Sequence, residues 1–289
     1  MEIKESQYNF SEMHQRMQFY VDAGILPCCA TAVFKGTDLV DHQTFGFMDL
    51  ETREPLRDDA IYRMASNTKL VTSVALMMLQ EEGLFDLDDP LAKFIPEFGE
   101  LQVLQPDATT AADVHPAKNL ISIRHLLSHS AGLSYGFVEP DSVIDQCYLS
   151  GGVNGLGEKD IDLEELCAGI AKLPLAFEPG TSWRYSFATD VCARLVEVLS
   201  GQSFDAFLRQ RIFDPLGMID TDFWVPQEKA HRLITMYSPE DLFDPMKPGL
   251  NNADDVITGP YRARPKMLSG GGGLVSTVAD YSAFLRMIV

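Results

Sequence analysis

Ser66 and Lys69 stand one helical turn apart in Ser66-Asn67-Thr68-Lys69, at the start of the most apolar helix that the chain predicts. Residues three apart share a helix face, so the spacing puts an amine beside a hydroxyl. From Leu70 to Leu79 the run is Leu, Val, Thr, Ser, Val, Ala, Leu, Met, Met, Leu, and Gly83 is a natural stop. A helix apolar almost all round belongs in the interior, which predicts that Lys69 is held there next to Ser66. Burial disfavours a charged ammonium. A neutral amine touching a hydroxyl is a general base touching a nucleophile. If Ser66 is the N-cap, the free N–H groups and positive dipole end also favour negative charge developing there. The plainer reading is a capping serine followed by a solvated lysine. It fits poorly with a lysine that opens so apolar a helix.

Tyr185 is the second candidate. It closes the segment Phe177-Glu178-Pro179-Gly180-Thr181-Ser182-Trp183-Arg184-Tyr185, just before a helix expected from Phe187. A loop there can present the phenol to a site. A tyrosine near a lysine can shuttle protons, since the cation favours the phenolate. Taken singly, a tyrosine at such a place is more often only packed.

Three further patterns compete for attention. Gly132-Leu133-Ser134-Tyr135-Gly136 fits G-x-S-x-G, the nucleophile elbow of α/β-hydrolases, with His231 the only downstream histidine for a triad. That elbow needs a strand before the serine and a helix after it. Here the preceding residues read as helical and the following ones run into Val138-Glu139-Pro140, so a glycine-bounded turn is the better account. His125 and His129 are four apart, but no glutamate lies between them as in H-E-x-x-H and no third ligand is evident, so structural hydrogen bonding is expected and no metal site. Gly270 to Gly273 lacks the Lys-Ser/Thr ending of a phosphate loop and reads as a place where backbone packs closely.

The elements that must position these groups follow from periodicity and caps. Phe10, Met13, Met17, Tyr20 and Val21 recur at helical spacing up to Gly24. Thr31 to Phe34 and Leu39 to Phe47, split by Lys35-Gly36-Thr37-Asp38, predict a β-hairpin. Ile123 to Ser128 reads as a helix. Asp162 and Glu165 form a capping-box pattern opening a helix over Leu163 to Leu173. Phe187 to Leu199 is amphipathic and stops at Gly201, and Ser203 is placed to cap a helix with Phe207 and Leu208. Thr277 and Asp280 open a last helix through Phe284 to Val289. Residues 134–160, rich in glycine, read as a mobile excursion, and loops that long in a compact domain are often functional.

The 289 residues predict one large domain or two intertwined ones. With 46% hydrophobic and 22% charged residues the chain is of ordinary globular composition. A formal charge of −19 argues against nucleic-acid or anionic-membrane surfaces, which need clustered Lys and Arg. The first residues lack a signal-peptide core and no apolar run spans a bilayer, so a cytoplasmic location is expected. Five cysteines, an odd count with Cys28 and Cys29 adjacent, fit reduced thiols better than a disulfide framework.

Several motifs together resemble the β-lactamase-like serine hydrolases, in particular the family VIII carboxylesterases related to class C β-lactamases. They are Ser66-Asn67-Thr68-Lys69, His125 to Leu133, Glu178-Pro179-Gly180 to Tyr185-Ser186, Phe213-Asp214-Pro215-Leu216-Gly217-Met218, and Gly270 to Asp280. They occur in the family's order over nearly the whole chain. The resemblance implies an α+β fold of the β-lactamase/transpeptidase type: an antiparallel sheet flanked by helices, plus a mostly helical region. The sheet part is expected over residues 1–62 and 228–289, and the helical part over 63–227. It also implies that Ser66 is the acylated nucleophile, Lys69 its activating partner and Tyr185 the proton relay to the leaving group. The backbone N–H of Ser66 would supply one oxyanion donor. No cofactor is implied, and the expected partner is a small-molecule ester.

Two departures bear on that expectation. Relatives with lactamase or peptidase activity usually carry Asn or Ser two positions after the tyrosine, where this chain has Phe187, which favours esters over lactams. The family's third motif belongs to a strand that would follow Val289, so either the sequence is a fragment or another chain completes the site, a homo-oligomer being one such arrangement. The competing expectations are β-lactam hydrolysis, D-amino-acid peptide hydrolysis or acyl transfer at the same site. From a different class comes a non-catalytic scaffold that has lost its last strands.

Overall fold

A computed structural model describes residues 3–4, 7–153, 160–254 and 261–289. In chain order its helices are α1 (Ser11–Asp22), α2 (Thr68–Glu81), α3 (Ile123–Leu127), α4 (Val143–Ser150), α5 (Leu163–Ile170), α6 (Ala188–Ser200), α7 (Phe204–Leu208), α8 (Asp214–Leu216) and α9 (Val278–Ile288). The strands are β1 (Cys28–Lys35), β2 (Asp38–Gly46), β3 (Tyr62–Arg63), β4 (Gln102–Leu104), β5 (Val114–Pro116), β6 (Tyr237–Pro239), β7 (Leu250–Asn252) and β8 (Val275–Ser276). They pair antiparallel as β1–β2, β3–β8, β4–β5 and β6–β7. Contacts divide the chain into one unit of Met1–Arg63, Ile212–Arg264 and Val275–Val289, and a second of Met64–Arg211 and Pro265–Leu274. The sequence places the second crossover near 228. Contacts put it at Ile212, and they group Pro265–Leu274 with the helical unit.

The first unit is built on the expected hairpin. β1 and β2 run in register from Cys28 opposite Gly46 to Lys35 opposite Asp38, with an irregularity between Val33 and Phe34. Helices α1 and α9 contact it. Met48, Leu56 and Ala60 form one small core, and Ile61, Val225 and Val275 another. Thr277 caps α9 by accepting from the Asp280 N–H. The Asp280 carboxylate in turn accepts from the Asp220 N–H at 2.7 Å and the Thr221 hydroxyl at 2.9 Å.

The second unit is mostly helical and centres on α6, which packs against α2, α3, α5 and α7. That explains why α6 buries eight of its residues, from Ala188 to Val196. Gly201 ends it in the left-handed conformation, φ +69°, that glycine adopts without strain. The Asp162–Glu165 capping box forms as expected. Helix α5 nonetheless stops at Ile170, because Pro174 disfavours helical geometry in the residue before it and the chain turns ahead of it. Ser203 precedes α7 without capping it, and its hydroxyl donates to the Asp205 carboxylate at 2.6 Å.

Part of the glycine-rich stretch 134–160, expected as a mobile excursion, is helical. It contains α4, capped by Ser142 and burying Ile144, Asp145, Cys147 and Tyr148. Gly155 and Gly157 lie outside the described residues. The flanking glycines hid a short helix whose i, i+3, i+4 apolar spacing was present in the sequence.

Candidate active site

Ser66 does not cap α2. It occupies a 3-10 turn, Ala65–Asn67, and Asn67 takes the cap position. Ala65, just before it, has φ +43°, a left-handed conformation that costs a residue with a Cβ. The helix is also less enclosed than its composition implies. Thr68, Val71, Thr72, Ala75, Leu76 and Leu79 face inward, while Leu70 is 41% exposed. Ser66 is exposed and Lys69 half-buried, so the expected interior amine is instead an amine at the rim of the packed face.

The three side chains singled out in the sequence come together all the same. Ser66 Oγ lies 2.6 Å from Tyr185 Oη, and Lys69 Nζ donates to Ser66 Oγ at 3.3 Å. The same amine donates to the Gly271 carbonyl at 2.5 Å. It sits 4.5 Å from the centroid of the Tyr185 ring and 5.5 Å from that of Tyr135. A hydroxyl in contact with both a phenol and an amine has two routes for losing its proton. That is the requirement for attack on a carbonyl at neutral pH.

Tyr185 is held by its neighbours in sequence. Arg184 donates from Nε to the Ser134 hydroxyl at 2.8 Å and from a terminal nitrogen to the Asp145 carboxylate at 3.0 Å. Its backbone N–H donates to the His129 carbonyl at 2.9 Å. Burial pushes the Asp145 carboxyl up, but hydrogen bonds from Ser134, the Glu139 N–H and Arg184 outweigh it and hold the group below the ordinary carboxylate value. The His129 ring packs 4.9 Å from that of Tyr185. Burial brings the His129 pKa down to about 4, so it is neutral at pH 7.

A second group of residues fixes the Lys69 acceptor, and sequence reading missed it. Asp190, buried on α6, accepts from the Ser269 hydroxyl at 2.6 Å and the Gly271 N–H at 3.0 Å. Thr72 donates to the Gly270 carbonyl at 2.8 Å. A Cβ on Gly270 would come within 2.6 Å of the Ala193 Cβ, and one on Gly271 within 2.7 Å of the Tyr135 hydroxyl. The close backbone packing expected of these glycines is thus present. Burial, reinforced by the Asp190 charge, raises the Tyr135 phenol far above its usual value, so it stays protonated. The available signal for Asp190 was an acid on the apolar face of an amphipathic helix.

The remaining candidates separate from the site chemistry. Ser134 is fully buried, donates to Asp145 and accepts from Arg184, so the elbow reading falls: its hydroxyl is not presented to any substrate. His125 Nδ1 accepts from the Ser122 N–H at 3.2 Å and completes the capping box of α3. Among the described residues no group of three His, Cys, Asp or Glu is arranged to hold a metal.

The Beta-lactamase family model matches residues 13–289. The chain belongs to the beta-lactamase family. Protein Rv1367c of Mycobacterium tuberculosis is 34% identical over 268 residues, covering 93% of this chain and 63% of its own length. Esterase EstB of Burkholderia gladioli is 30% identical over 268 residues, covering 81% and 64%. Acyltransferases are also among the relatives. This beta-lactamase-family chain therefore spans under two thirds of the length of these two relatives. Among solved structures, EstCE1, described as a hydrolase with promiscuous acyltransferase activity, superposes with a TM-score of 0.78 at 24% identity over 93% of this chain and 69% of that one. The likeness shows the β-lactamase/transpeptidase-like fold, with helices and antiparallel strands. No helix among the described residues is long and apolar enough to cross a membrane.

Proposed function

We propose that this chain is a serine hydrolase that cleaves small carboxylic esters through an acyl-enzyme on Ser66. The observation that carries the reading is the 2.6 Å approach of Tyr185 Oη to Ser66 Oγ with Lys69 Nζ 3.3 Å away. In the first step Ser66 Oγ attacks the ester carbonyl while its proton passes to Lys69 and Tyr185. The tetrahedral intermediate places negative charge on the carbonyl oxygen, and the Ser66 N–H is one donor to it. Losing such a donor typically costs about 3 kcal/mol. Collapse breaks the bond to the alcohol, which takes up the proton through Tyr185. Water then attacks the acyl-enzyme, with the same pair accepting its proton, and Ser66 is restored.

The similarity to EstB supports esters as the substrate class. Phe187 is 2% exposed and packs on the Tyr135 ring at 4.6 Å, so it faces the interior and does not bear on substrate class. Acyl transfer is a second outcome of the same intermediate, supported by the acyltransferases among its relatives: an alcohol replaces water in the second step. A cytoplasmic setting belongs to this proposal and fits five free cysteines. The test is a nitrophenyl acetate burst. The chain is expected to release nitrophenol and to carry a fluorophosphonate adduct on Ser66, and Ser66→Ala to do neither. A folded chain without an adduct would favour the scaffold reading, and faster turnover of a chromogenic cephalosporin the lactamase one.

A further inference from the structure

Trp183 is 65% exposed, two residues before Tyr185. Its ring stacks on that of Tyr185, centroids 6.4 Å apart at 27°, and meets His129 edge-on at 6.3 Å. An indole left mostly in water forgoes the burial that ordinarily stabilises so large an apolar group. Yet the loop that carries it is fixed on both sides. Gly180 donates its N–H to the Ser130 carbonyl and Arg184 to that of His129, each at 2.9 Å, and the Arg184 side chain is locked onto Asp145. A rigid exposed aromatic face loses little entropy on receiving a ligand, which makes it an efficient apolar contact surface.

Which part of an ester it would receive follows from the Ser66 hydrolase reading, on which this inference rests. As the bond between the acyl carbon and the alcohol oxygen breaks, Tyr185 delivers the proton to that oxygen. The alcohol portion must therefore lie on the Tyr185 side of the carbonyl, where Trp183 extends the ring surface. We propose that Trp183 is the platform for the alcohol portion of the substrate and that it gives the enzyme a preference for esters of aromatic or bulky apolar alcohols. The preference acts only in the first step. Once the new bond from Ser66 Oγ to the acyl carbon exists and the alcohol has left with its proton, the acyl-enzyme is the same whatever alcohol was released. In the reverse sense, an acceptor alcohol would use the same face.

The experiment compares methyl, butyl and benzyl acetate, which share one acyl group, in the wild type, Trp183→Ala and Trp183→Phe. The wild type is expected to favour benzyl over methyl acetate in kcat/KM. Trp183→Ala should lower that ratio by roughly tenfold, in the range of a lost apolar contact. Trp183→Phe should keep most of it, and the hydrolysis rate of the common acetyl-enzyme should be unchanged in both. A wild type without benzyl preference overturns the proposal. So does an unchanged benzyl-to-methyl ratio in Trp183→Ala, or equal losses on all three esters with slowed deacylation. Failure of the hydrolase reading itself looks different: the wild type then forms no acetyl-enzyme on Ser66 at all.

Discussion

Lys69 Nζ donates to the Gly271 carbonyl at 2.5 Å, a shorter contact than the 3.3 Å it makes with Ser66 Oγ. The amine is thus anchored by backbone from a segment about 200 residues away in sequence, and that segment is tied to α6 through Asp190. Gly271→Ala is expected to push the carbonyl off its position, because the added methyl meets the Asp190 carboxylate and the Tyr135 hydroxyl. Ester turnover should fall by about tenfold or more, equivalent to at least ~1.4 kcal/mol in the barrier. Steady-state kinetics beside circular dichroism checks that the loss is not one of folding.

Tyr185→Phe keeps the ring that packs on His129 and removes only the hydroxyl. A proton relay lost in this way typically costs about 10²–10⁴-fold. The loss should be larger for alkyl esters, whose alkoxides leave poorly, than for nitrophenyl esters, whose leaving group needs no proton. Equal losses on both would argue against the relay.

Ser134→Ala should be a stability variant and not a catalytic one. Its hydroxyl links Asp145 to Arg184 in the interior, so its removal is expected to cost about 1–3 kcal/mol in denaturant unfolding. Fluorophosphonate should still label Ser66. An unlabelled but folded Ser134→Ala would revive the elbow reading.

The Arg184–Asp145 pair also predicts a pH dependence. The native Asp145 carboxyl is held below the unfolded value of about 3.9. The unfolded state therefore binds its proton first as pH falls, so the stabilisation is complete above about pH 4 and lost as pH drops through the native value. Asp145→Asn lacks it throughout. Its melting temperature should therefore lie below wild type at pH 7, although Glu139 still pairs with Arg184, and the gap should narrow as pH falls below about 4.

Local geometry is readable in the sequence where spacing or capping determines it. Ser66 with Lys69, the Asp162–Glu165 capping box, the Lys35–Asp38 hairpin turn and Tyr185 before α6 are all of that kind. The residues that escaped notice act across long separations. Asp190 meets Ser269 and Gly271 some 80 positions away, and no periodicity marks a contact of that range. The composition of α2, apolar almost all round, puts Lys69 indoors. The inward stripe from Thr68 to Leu79 passes beside it, which a composition count does not reveal. Helix α4 is hidden for the opposite reason, since its flanking glycines outweigh three apolar inward residues, Ile144, Cys147 and Tyr148.

Ala65, wound to φ +43° ahead of Ser66, has one further consequence. A methyl group in that geometry costs about 1 kcal/mol against glycine, but it also denies the unfolded chain a comparable freedom. Ala65→Gly should therefore melt within a few degrees of wild type while the hydroxyl it precedes wanders. Stiffness at this turn bears more on where the hydroxyl points than on how firmly the chain holds together.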